Sequence, residues 1–265
     1  MKIFSIPSLS TLLCGLGLAT PTLVHCQALE TEESKPLEKG QFEFGSGLEY
    51  QTSSEGSESA LPLALEYGIT EKLTALIEPV VFTWIRPKTG THAFGIGDLE
   101  VTLFYQVMRE HSFSPSVSLA GEVKLPTAQN TLIGSGKFDY TPFLILSKTT
   151  GPLFTSINLG YTFVGKPKGV QANNQINYAL GTIISIAPRN FLYAEVYGNT
   201  AATETSEAAL PTTTGAKELS GGETVGAVAY GYEFIDGMKL SMGISYDNNQ
   251  AMVFRPGFEW KFGAN

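Results

Sequence analysis

Beyond residue 28 the chain offers two histidines as general bases, His92 and His111. Neither has a serine at a spacing that would set a nucleophile beside it along a strand, and a catalytic triad is defined by that geometry. Both read as polar residues of connecting segments, so no catalytic residue is assigned and the chain is not read as an enzyme. No cluster of His, Cys, Asp and Glu has metal-ligand spacing, and neither a metal nor a cofactor is expected. Gly134-Ser135-Gly136-Lys137 resembles part of a phosphate-cradling loop, yet it lacks the upstream glycine and the Ser or Thr after the lysine. What the residues do offer is electrostatics. Glu43, Glu49, Glu66, Asp98, Glu100, Glu122, Glu233 and Glu259, with Glu78 and Glu195 beside them, recur in alternation with apolar residues, against Lys124, Arg255 and Lys261. Carboxylates gathered around one aqueous space repel anions, and interspersed basic side chains cross-link them as ion pairs.

That chemistry requires elements that turn all these side chains the same way, and the sequence has a period of two. Phe42, Phe44, Leu48 and Tyr50 alternate with Glu43, Gly45, Gly47 and Glu49. Leu61 to Ile69 alternates with Pro62, Ala64, Glu66 and Gly68. Leu99, Val101, Leu103 and Tyr105 oppose Asp98, Glu100, Thr102 and Gln106, and Val117, Leu119 and Val123 oppose Ser118, Ala120, Glu122 and Lys124. The pattern continues through 152–164, 176–186, 223–234, 240–247 and 250–262. Segments 72–85, 139–148 and 191–199 are apolar on both faces, which leaves their phase open. The expected total is about twelve strands.

The connections sort by parity. Those after odd strands, near 52–59, 86–97, 126–138, 165–174, 200–222 and 247–250, are mostly long. Those after even strands are clipped: Thr70-Glu71, Glu110-His111, Thr150-Gly151, Pro188-Arg189-Asn190 and Asp236-Gly237. A two-sheet sandwich has no reason to sort its loops this way. An all-β, up-and-down antiparallel barrel spanning an outer membrane does, with long loops outside and short turns facing the periplasm.

Targeting agrees. Met1-Lys2 precedes an uncharged apolar stretch from Ile3 to Ala19, and Cys26-Gln27-Ala28 places cleavage of a secretory signal peptide (residues 1–28) before Leu29. Both cysteines leave with it, so an exported chain must hold together without disulfides. Its removal costs one of 17 basic residues against 25 acidic ones, a balance unsuited to nucleic acid. Residues 29–39 are acidic and aperiodic and read as a mobile periplasmic lead. The barrel is expected over 40–262 and a short tail over 263–265.

The last strand carries Arg255, Gly257, Trp260 and Phe262 at the spacing of the signal by which the assembly machinery of the outer membrane takes up its barrels. Aromatics near strand ends, among them Phe42, Tyr67, Phe113, Phe191 and Phe258, suit the interface with membrane lipid.

The segments EYGITEKLTALIEP (66–79), GIGDLEVTLFYQ (95–106), LAGEVKLPT (119–127), FDYTPFLILSKTTGPLFTSINLGY (138–161) and YAEVYGN (193–199), taken in order, resemble the outer-membrane barrel family labelled meta-pathway of phenol degradation. The resemblance covers about residues 61–250 and implies a Gram-negative outer-membrane transporter of small molecules, aromatic or hydrophobic compounds among them. The charged residues listed above become candidates for lining the lumen and setting selectivity. The leading expectation is a passive channel for small solutes; the alternative is a non-conducting structural or surface-interaction barrel working through long loops such as 201–222. Whether the lumen is open or filled by its own side chains stays open at this stage.

Overall fold

The computed structural model describes residues 30–166, 172–201 and 222–263. The expected signal peptide, the last two residues and most of the 200–222 loop lie outside that range. The strands are Gln41–Gly47 (β1), Glu49–Thr52 (β2), Gly56–Thr70 (β3), Leu73–Pro87 (β4), Ala93–Gly95 (β5), Leu99–Met108 (β6), Ser116–Leu125 (β7), Asp139–Thr150 (β8), Leu153–Thr162 (β9), Gln175–Ala187 (β10), Asn190–Asn199 (β11), Glu223–Ile235 (β12), Met238–Asp247 (β13) and Met252–Gly263 (β14). Every pairing is antiparallel, and no helix occurs among the described residues.

β1 and β2 share both neighbours, β3 and β14, and form one strand interrupted at Leu48. β5 and β6 likewise both pair with β4. Twelve strands therefore close into a barrel, sealed where Phe42 faces Phe262 and Gly47 faces Gly257. The interruption at Leu48 has a cause in its partner. Its amide donates to the Pro256 carbonyl at 3.0 Å, but proline has no N–H to return the bond.

The outer wall is built by every second side chain. Leu103, Tyr105, Leu119, Val228, Leu240 and Met242 are each about half exposed, and the same holds around the whole circumference. A continuous apolar surface of this extent is stable only against hydrocarbon. At the end of the short turns Phe42 packs on Tyr67 at 4.5 Å and Phe262 on Trp260 at 4.4 Å between ring centroids. Tyr161, Phe163 and Tyr140 form a second aromatic group at the opposite end.

Loop parity follows the expected scheme with two differences. The first outer connection shrinks to residues 53–55, because β2 and β3 continue pairing up to Thr52 and Ser57. The turn placed at Glu110-His111 spans 109–115, and Phe113 is fully exposed in it rather than within a strand. Three of the four two-residue turns place one residue in the left-handed backbone region common in tight hairpins, with positive φ at Gly151, Arg189 and Gly237.

A larger correction concerns residues 30–39, read from sequence as a mobile periplasmic lead. They run inside the barrel. Thr31, Glu33, Ser34 and Leu37 are buried, and hydrogen bonds tie the segment to the inner wall. Its backbone groups meet fixed partners there, which outweighs the lack of an apolar pattern.

Candidate functional site

Alternation turns the acidic residues inward, and strand register decides which of them meet. At the end of the short turns Glu43 is 4% exposed and takes a salt bridge from Lys261 at 3.0 Å, its direct cross-strand neighbour. Glu66, also buried, faces Glu43 from the other side. Glu259 meets Lys239 at 3.9 Å, with both side chains almost wholly buried and the ammonium 4.8 Å from the centre of the Phe191 ring. Sequence reading missed Lys239 by starting its strand two residues late, although its parity with Ser241 and Ser245 marks it as inward. Glu233 sits at the rim, where its carboxylate accepts the Gly237 amide at 2.8 Å and caps the turn.

Midway along the barrel Arg255 bridges Glu49 at 2.7 Å and Glu30 at 2.6 Å. Further round the same side Glu78 and Glu100 are cross-strand partners, and Glu122 lies one strand beyond, opposite Thr102. Lys124 pairs with Asp139 at 2.5 Å and Asp98 at 3.7 Å. Asp98 also accepts the Ala128 amide at 3.0 Å, which draws the 126–138 loop over the outer mouth. That contact explains Gly134. A Cβ there would stand 2.9 Å from the Asp98 carboxylate, so this glycine gives room to a loop contact.

The acidic side of the lumen, carried by β1–β7 and β14, faces one on β8–β12 that is more apolar, where Asp139, Glu195 and Glu233 are spaced widely apart. Phe154, Ile183, Phe191, Tyr193 and Ala229 form one buried apolar cluster. Leu76, Phe104, Ala120 and Ile145 form another. Phe191, expected at the lipid interface, therefore points inward instead: the hairpin turn at 188–189 sets its parity with Tyr193 and Glu195. The three segments of open phase resolve the same way, with Glu78 on β4 and Glu195 on β11 both directed inward.

Residues 30–38 follow the inner wall as a collar, strand by strand. The Leu37 amide donates to Thr74 on β4 at 3.1 Å. The Ser34 carbonyl accepts Ser118 of β7 at 2.6 Å and Gln106 of β6 at 3.4 Å, and the Ser34 amide donates to Ser147 of β8 at 2.9 Å. Asn158 of β9 grips both the amide and the carbonyl of Glu32, at 2.6 and 2.9 Å. The Glu195 carboxylate on β11 accepts the amides of Glu30 and Thr31 at 3.1 and 2.6 Å, together with the Thr31 hydroxyl. Glu30 then reaches Arg255 on β14, beside the strand from which the segment departs.

Two inner cavities flank this collar. One of about 140 Å³ lies between it and the β1–β4 wall, lined by Glu30, Glu49, Glu78 and Arg255. The other, about 380 Å³, lies under the 126–138 loop, where Glu49, Glu58, Glu100 and Lys124 stand beside Val80, Ile85, Ile133 and Val253. Among the described residues no group of three or more His, Cys, Asp and Glu has the arrangement to hold a metal ion.

The four residues of the expected assembly signal divide between the faces. Arg255 and Gly257 point into the lumen, while Trp260 and Phe262 join the outer aromatic group.

An apolar outer wall closed on itself around a charged interior defines the class: a barrel with the fold of Gram-negative outer-membrane proteins. The chain belongs to the family described as "Putative MetA-pathway of phenol degradation", which matches residues 63–265. Solved structures share the fold at low sequence identity. An outer membrane channel from Pseudomonas putida F1 aligns over 88% of this chain and all of its own, with TM-score 0.65 and 12% identity. NanC porin aligns over 83% of this chain and 100% of its own (TM-score 0.57, 14% identity), and KdgM porin, in complex with oligogalacturonate, over 82% and 99% (TM-score 0.52, 11% identity). No curated protein matches the chain in sequence.

Proposed function

We propose that the protein is a passive channel of the Gram-negative outer membrane for small solutes, with the inward carboxylates favouring cations and neutral molecules over anions. The observation that carries this is the lumen itself. It is charged and holds cavities, in a wall whose outside is suited to hydrocarbon, and charge is retained inside a barrel where it contacts water and solute. The cavity under the 126–138 loop sets Val80, Ile85, Ile133 and Val253 against Glu49, Glu58 and Glu100. Such a mixed lining suits a compact solute with an apolar body and a neutral or cationic polar end. A small aromatic compound fits that description, in keeping with the family's label and the channel and porin folds it resembles.

Lumen-lining roles fall to Glu43, Glu49, Glu66, Asp98, Glu100, Glu122, Lys124, Glu233, Arg255, Glu259 and Lys261. Glu100 lines the outer cavity without belonging to the Arg255 bridge, and Glu122 lies on the next strand, opposite Thr102, which makes the two useful probes of selectivity. In planar bilayers under a salt gradient, the channel should show a cation-selective reversal potential that moves toward zero in Glu100→Gln and Glu122→Gln. A folded protein that never conducts, or a reversal potential indifferent to both changes, refutes the reading.

One observation favours the second reading, a non-conducting barrel. The collar and the two apolar clusters occupy much of the lumen toward the short-turn end. The same bilayer measurement separates the two.

A further inference from the structure

We propose that a patch on the outer wall, centred on Arg86, binds the phosphorylated headgroup of a glycolipid in the outer leaflet of the membrane. The inference rests on reading the barrel as an outer-membrane protein with its long connections outside, and not on conduction.

Among the described residues Arg86 is the one charged side chain that faces outward in the long-loop half of any strand. Charge on a lipid-facing wall is costly, least so near the interface, and it is retained where a partner meets it. The protein itself supplies no such partner. Arg86 enters no ion pair among the described residues, and its Nε is buried without a hydrogen-bond partner. Its guanidinium lies 4.3 Å from the centre of the Trp84 ring, which braces it against the wall. Ser57, its direct cross-strand partner, and Thr52 beyond it bring hydroxyls to the same row. Lys88, two residues further on and exposed, adds a second cation, and its amide is held by the Glu55 carbonyl at 2.7 Å.

The row beneath is aromatic. Tyr50, Ser59, Trp84 and Phe94 are successive cross-strand partners on β2, β3, β4 and β5, and the three rings are exposed, Phe94 most of all at 69%. Rings on a barrel's outer wall settle where headgroups meet acyl chains, so Arg86, one row further out, stands at headgroup level. A guanidinium matches two phosphate oxygens with parallel N–H bonds, and the neighbouring hydroxyls and ammonium can complete the shell around them. The outer leaflet of a Gram-negative outer membrane is built largely of a glycolipid whose sugars carry phosphates. A second copy of this chain is a poorer occupant, because its strands offer no outward carboxylate at that depth.

The full chain, refolded into detergent and checked for the gel shift between boiled and unboiled protein, supplies the test. Its two tryptophans are Trp84 and, at the short-turn end, Trp260, so in a Trp260→Phe background the emission of Trp84 reports on the patch. Titrated with diphosphorylated lipid A in mixed micelles, this protein should bind about ten-fold more tightly than Arg86→Gln on the same background, the loss expected when charge-assisted bonds to phosphate go. Arg86→Lys keeps the charge without the fork and should fall between the two. Lipid A stripped of its phosphates should bind the parent no better than the intact lipid binds Arg86→Gln. If Arg86→Gln does not fold, Arg86→Lys and Lys88→Gln decide, each with an expected loss of about three-fold. Equal binding by parent and variants, or by intact and stripped lipid, overturns the site. Phosphatidylglycerol bound as tightly as lipid A overturns the choice of a glycolipid. None of these readouts depends on conduction, so a barrel that never conducts would defeat the channel reading and leave the patch standing.

Discussion

Replacing Lys239 by methionine removes an ammonium from one of the most enclosed places in the barrel while keeping most of the side chain's volume. Lys239 and Glu259 are 1% and 2% exposed, 3.9 Å apart, and the ammonium lies 4.8 Å from the Phe191 ring centre. Breaking a buried pair from one side costs about 3–5 kcal/mol, because the remaining charge loses its compensation. Here the separation is long for a salt bridge, and Lys261 lies close enough to Glu259 to feel its charge, which trims that loss. Loss of the cation–π contact adds about 0.5–1 kcal/mol, and the matched stem leaves little cavity term. The expected destabilisation is about 3 kcal/mol. Urea unfolding of the detergent-folded barrel, followed by tyrosine and tryptophan fluorescence, measures it through the shift in midpoint at unchanged slope. The double variant Lys239→Met with Glu259→Leu removes both charges and should recover at least about half of the loss. A single variant within about 0.5 kcal/mol of the parent, or a double variant as unstable as the two single losses added, would refute the reasoning.

Two more expectations follow from the ends of the barrel. In the 109–115 turn Glu110 is slightly buried, which alone would raise its pKa, but the ammonium of Lys148 at 3.0 Å and the Thr149 amide hold it below its ordinary value of 4.5. A lowered folded-state value means stability that is present above pH 4.5 and lost as the pH falls through the folded value. Glu110→Gln should therefore cost up to about 0.5 kcal/mol at neutral pH and less at pH 3 by urea midpoint, since the pair is largely exposed; an equal cost at both pH values defeats this account. Trp260→Ala with Phe262→Ala strips the outer aromatic group at the last strand. If these rings serve the assembly machinery, the amount of folded barrel in the outer membrane should fall several-fold while refolding from urea into detergent stays near that of the parent, and equal losses in both would assign the rings to stability alone.

The strands were most legible where the two faces differ in polarity. On β1, β6, β7 and β14, glutamates, lysines, serines and glycines alternate with large apolar residues, so phase could be read residue by residue. On β4, β8 and β11 the inner face is itself apolar in part, with Leu76, Ile145, Phe191 and Tyr193 packed inside the lumen. Periodicity fades when both sides of a wall are greasy, and a period-two pattern says nothing about which greasy side faces lipid. Phe191 was misplaced for that reason. Lys239 escaped notice because a strand read from Leu240 excludes it, although Glu233, Lys239 and Glu259 stand in register across three strands. The collar was invisible for a different reason. Most of its bonds run through amides and carbonyls, which every residue has, so LETEESKPLEK carries no pattern that marks it as bound. Its nearest sequence traces are glycines in other strands, Gly68 and Gly181, where a Cβ would collide with Glu38 or Thr31, and they read from sequence as ordinary small inward residues.

The collar also acts as a gauge of girth. Its contour is fixed at roughly 30 Å for nine residues in extended form, and it starts beside one edge of the seam and finishes on Arg255 at the other. A wall with one hairpin more or fewer would carry Thr74, Asn158 and Glu195 out of step with the amides they meet, so the segment rewards a single circumference and the strand number that gives it.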